Sequence, residues 1–73
     1  MKKEELARIF KAKADCYWTL FENYKREGKQ EDIDAIRVVN QFIAYDDAVR
    51  MLTDEQYATR MREIFIEGKI DED

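Results

Sequence analysis

Leu52-Thr53-Asp54-Glu55-Gln56 is the stretch on which the fold turns. Thr53 and Gln56 have the S/T-x-x-E/Q form of a capping box, so a new helix is expected just after Leu52 with Thr53 as its cap. Asp54 and Glu55 would then sit at the positive end of that helix's dipole. Neither Gly nor Pro separates Leu52 from Asp54, and a second reading runs one bent helix through the same residues. The first reading gives a small three-helix bundle. The second gives a helical hairpin with a bent second arm, long enough to need a partner.

Outward from this point, two glycines punctuate the chain. Gly28 follows a long periodic segment and Gly68 follows a shorter one, and each suits the left-handed position just past a helix end. Helices are therefore expected at about 3–27, about 31–52 and about 54–67. The class is all-α: proline is absent, and a sheet of this size would need several turns rich in Gly, Pro or Asn-Gly. Nine aromatics in 73 residues predict a packed chain in spite of 41% charged residues. One helical domain is expected over 1–73, with a frayed acidic tail at 69–73.

The apolar faces rank the helices. On the first, Leu6, Ile9, Phe10, Cys16, Tyr17, Leu20, Phe21 and Tyr24 share an arc of roughly 140°. On the third, Tyr57, Ala58, Met61, Ile64 and Phe65 share about 120°. The second is apolar over about 200°, with Val38, Phe42, Tyr45, Val49 and Leu52 as a seam widened by Ile36, Val39 and Ile43. Such a helix has neighbours on two sides, and the second helix is expected to be central.

Composition removes most chemistry. Without histidine there is no imidazole base and no two-His metal site, and no glycine-rich phosphate loop is present. A helical di-iron site needs Glu-x-x-His, and Asp32-x-Asp34 lacks the glycine and distal Glu of a calcium loop. No catalytic residue, cofactor or metal is expected, and the chain reads as a non-enzyme. The lone Cys16 cannot form an intrachain disulfide and is expected to be a reduced core hydrophobe in a cytoplasmic protein. No apolar run approaches a membrane span. Net charge is -4, distributed as +2 over residues 1–28, -2 over 29–52 and -4 over 53–73. That balance argues against a nucleic-acid partner.

Two constellations stand out. Lys13 falls inside the first helix's apolar arc, and an antiparallel hairpin about Gly28 places residues whose numbers sum to about 58 at one level. Lys13 then meets Ala44–Asp47, and a partly buried Lys13–Asp46 pair would fix register. The alternative is a lysine stem lying along the core edge with its ammonium in water. The other constellation is a flank of the first helix carrying Ala7, Ala14, Trp18 and Phe21. Small residues permit close approach and a tryptophan beside them suits an interface anchor, so these four are the candidate partner interface. Otherwise Trp18 would fold over the edge of the third helix.

A core of this size supplies little stability, which makes association with another protein, or with a second copy as a homodimer, the natural source of extra burial. The expected function is a non-catalytic helical interaction module, a small regulator or inhibitor that occludes a partner protein. In length, acidity and composition the chain is similar to small phage-encoded inhibitors, anti-CRISPR proteins among them, although no motif carries that likeness. The alternative is a small helix-turn-helix-like DNA-binding regulator with the third helix as reader, against which Arg60 and Arg62 are flanked by Glu55, Glu63 and Glu67. A carboxylate or Cys16 enzyme ranks last.

Overall fold

Three helices account for 81% of the described residues in a computed structural model of the protein, which describes residues 1–69. Helix α1 spans Lys3–Arg26, α2 spans Ile33–Thr53 and α3 spans Glu55–Phe65. The acidic tail expected at 69–73 lies, beyond Lys69, outside the described residues.

Each boundary has a local cause. Helix α1 begins with Glu4 and Glu5 in its first turn and ends with Lys25 and Arg26, which suits the dipole at both ends. Gly28 then adopts φ 72°. Its N–H donates to the Lys25 carbonyl at 3.0 Å, and that of Lys29 to Tyr24 at 2.8 Å, the paired bonds of a Schellman turn. Gly68, at φ 73°, turns the chain in the same left-handed way after α3.

The break between α2 and α3 is real, and its cap is not the expected residue. Thr53 is the last residue of α2, and its Oγ1 donates back to the Val49 carbonyl at 2.8 Å. Asp54, with extended backbone, caps α3 instead: its Oδ1 accepts from the Tyr57 N–H at 3.1 Å. A β-branched threonine can satisfy its hydroxyl within its own helix, which leaves the carboxylate one residue on to receive the orphan donor.

Helices α1 and α2 form an antiparallel hairpin. Phe10 and Tyr17 both meet Tyr45, and Trp18 meets Phe42, a register close to the expected one. Helix α3 touches α2 over a much smaller area and makes no contact with α1. The result is a single layer of helices about α2, with extents of 42 × 35 × 15 Å. Its radius of gyration is 15.1 Å, against about 11 Å for a compact domain of this length.

That layer encloses almost nothing. Among the described residues, the buried apolar ones are Ala7, Ala14 and Ala35, and no large side chain is fully buried. Helix α1 turns a different face to α2 from the one its bulkiest residues suggest. The line Ala7–Phe10–Ala14–Tyr17–Phe21 faces the partner helix, rotated by roughly 70° from the middle of the expected arc. Ile9 and Leu20 are consequently exposed, as is Cys16, which is no core residue. Alanines at the crossing let two helices approach closely, and the flanking aromatics close over the seam.

Candidate functional site

One group of apolar and charged contacts on the hairpin is built around Trp18. Its ring lies 5.0 Å from that of Phe42 and 5.8 Å from that of Phe21, both tilted. The Lys25 ammonium lies 6.0 Å from both the Trp18 and the Phe21 centroids. Trp18 remains 37% exposed, so one side of the indole is packed on α2 and the other is open. It does not reach α3.

The expected interface of Ala7, Ala14, Trp18 and Phe21 therefore divides. Ala7 and Ala14 are buried, the latter to 1% exposure, where α1 meets α2, and no second protein can touch them. Trp18 and Phe21 stay at the rim. Small residues on a helix flank serve an internal crossing as readily as an external one, and sequence alone does not separate the two uses.

The expected Lys13–Asp46 pair is replaced by a different contact at the same level. The Lys13 ammonium sits 4.9 Å from the centroid of the Tyr45 ring, and Lys13 and Asp46 form no ion pair among the described residues. An aromatic face next to the carboxylate offers the lysine an attractive site without stripping its water, so the snorkelling alternative prevails in cation–π form. Lys11, two residues earlier and on the exposed face, pairs along its own helix: its Nζ lies 2.9 Å from Asp15 Oδ1. The hydrogen bond to Asp15 and its charge hold the Lys11 ammonium above its ordinary range.

A second site lies where α3 meets α2. The Tyr57 hydroxyl donates to Asp47, and the Arg50 guanidinium lies 4.2 Å from the Tyr57 ring centroid. Hydrogen bonding to Asp47 raises the Tyr57 phenol above its usual value, and loss of solvent acts in the same direction. Beside this knot, Met51, Leu52, Ala58, Met61 and Phe65 line an open apolar groove of about 550 Å³. Phe65 is 79% exposed. Asp47 and Tyr57 were not among the expected site residues; they are ten positions apart, and only the turn at Asp54 brings them together.

Among the described residues, no group of three or more Cys, Asp or Glu side chains is placed to hold a metal ion. On α3, Arg60 lies 3.8 Å from Glu63, and Arg62 lies 3.5 Å from Glu67. Among the described residues, no helix is long and apolar enough to cross a membrane. No protein family, curated protein or solved structure matches the chain.

Proposed function

We propose that the chain is a non-catalytic helical interaction module that works by burying apolar surface against another protein. The observation that supports this reading is the single-layer architecture itself. With no enclosed core, the hairpin leaves large apolar residues in water on every helix, Ile9, Ile43 and Phe65 among them. Soluble domains seldom leave so much apolar surface uncovered unless something docks on it. The carboxylates beside Arg60 and Arg62 favour this reading over a DNA-reading α3, because they neutralise the cations that phosphates would need. A regulator or inhibitor that occludes its target needs surface and no reacting group. A phage-type inhibitor is the named case that length and composition suggest.

Affinity capture from the native cell with mass spectrometry tests the reading. The wild type is expected to retain a defined protein, and Ile43→Asp or Phe65→Asp to lose it with helicity unchanged. Capture that is indifferent to every exposed apolar substitution would sink the proposal.

A further inference from the structure

Helix α2 carries a stripe that stays exposed except at half-buried Val39 and that α3 approaches only at one end. At 100° per residue, Asp32, Ile36, Val39, Ile43, Asp46 and Arg50 fall within an arc of about 80°, turned about 100° from the Phe42 and Tyr45 side that meets α1. Ile36 is 45% exposed and Ile43 is 56% exposed. Trp18, packed on Phe42, borders the same side of the hairpin.

The order of charges along this stripe makes it complementary to itself. An acid stands at its N-terminal end and an arginine at its C-terminal end. When a second α2 is laid antiparallel on it with the two-fold axis at the level of Gln41, Val39 faces Ile43 of the second copy and Asp32 faces Arg50 of the second copy. Both contacts occur twice, as an isologous interface requires. Ile36 then lies beside Asp46 of the second copy at the rim. A parallel alignment would set Asp32 on Asp32 and Arg50 on Arg50, which like charges oppose. Neither Asp32 nor Arg50 has an ion-pair partner among the described residues, and Arg50 is held at its end of the stripe by the Tyr57 ring.

The area also fits. The chain exposes 5980 Å², where a compact monomer of its mass exposes about 4,800 Å². The surplus of roughly 1,200 Å² exceeds the ~800 Å² that an interface of standard size takes from each partner. The geometry points to a homodimer built on antiparallel α2 helices, with Val39 and Ile43 at its centre and the Asp32–Arg50 contacts at its ends. This inference rests on the interaction-module reading and names its partner as a second copy of the chain.

Sedimentation of the full chain across a dilution series tests it. The expected mass rises with concentration from 8.8 kDa to about twice that value for a two-fold dimer. Ile43→Asp should weaken the dimer at least ~tenfold with helicity retained. Asp32→Arg and Arg50→Asp should each weaken it by about tenfold, and the combined reversal should restore it. Should Ile43→Asp lose helicity, the charge reversals carry the test alone. A wild type that stays monomeric at every concentration overturns the dimer, as does an Ile43→Asp dimer of wild-type strength or a combined reversal that rescues nothing. Capture from the native cell separates this failure from that of the interaction reading. A monomeric chain that retains a different protein through Ile43 overturns the dimer only, whereas one that retains nothing overturns both.

Discussion

Tyr57 on α3 donates its hydroxyl hydrogen to the carboxylate of Asp47 on α2, with the Arg50 guanidinium stacked over the same ring. These three side chains close the angle between the two helices where α3 has no other helix to rest on. Their bond also gives α3 a dependence on pH. The hydrogen bond to Asp47 raises the Tyr57 phenol above its ordinary value. A group whose folded value is raised stabilises the fold below its unfolded value and loses that contribution as pH climbs through the folded one. Docking of α3 is therefore expected to be intact at neutral pH and to loosen in alkali, as the pH climbs through the raised value of this phenol. Absorbance of the phenolates against pH, read beside circular dichroism, checks this. Tyr57→Phe should remove the alkaline component, and an unchanged alkaline profile in that variant would place its origin elsewhere.

The cap of α3 discriminates between two adjacent residues. Asp54→Ala is expected to cost about 0.5–2 kcal/mol, as loss of an N-cap does. Thr53→Ala removes a hydroxyl bonded within its own helix and should stay within about 0.5 kcal/mol of the wild type. Thermal melts of the two variants decide it, and equal losses would return the capping role to Thr53.

Lys13 tests what the aromatic seam does with a cation. A double-mutant cycle on Lys13→Met and Tyr45→Leu should show a coupling of about 0.5–1 kcal/mol. The corresponding cycle on Lys13→Met and Asp46→Leu should be additive within about 0.3–0.5 kcal/mol. Coupling to Asp46 alone would show that the ion pair forms in solution.

Ala14 is buried where the two hairpin helices meet. Ala14→Leu should cost about 1–3 kcal/mol, because a larger side chain forces the crossing apart. The same substitution at exposed Ala12 on α1 should be nearly neutral. Urea unfolding of both proteins measures the difference, and equal midpoints would mean that the crossing is not seated on Ala14.

For Trp18 the expectation is a shared role within the chain. Trp18→Ala and Phe42→Ala should be coupled by about 0.5–1.5 kcal/mol through their tilted ring contact. A Trp18→Ala protein that melts as the wild type does would place the indole outside the fold and wholly at the service of a partner.

The helical class, the three segments, the central place of α2 and the antiparallel register were all legible along the chain. Those properties follow from local causes: glycine where the backbone must turn left-handed, acids at helix starts, and apolar residues at a period near 3.6. Which face of α1 would meet α2 was not legible. A plot of hydrophobicity favours Ile9, Cys16 and Leu20, but two helices in contact gain more from close approach over Ala7 and Ala14 with Phe10, Tyr17 and Phe21 closing the sides. That preference depends on the shape of the opposing helix, which no single segment contains. The same reason moved Lys13 from Asp46 to Tyr45: neighbouring helix positions point about 100° apart, and the face of α2 that α1 packs on decides which of them the lysine meets. The Tyr57–Asp47 bond and the absence of any contact between α1 and α3 depend on one backbone turn at Asp54. Local sequence marks where that turn lies, while its angle is decided by the tertiary contacts on either side.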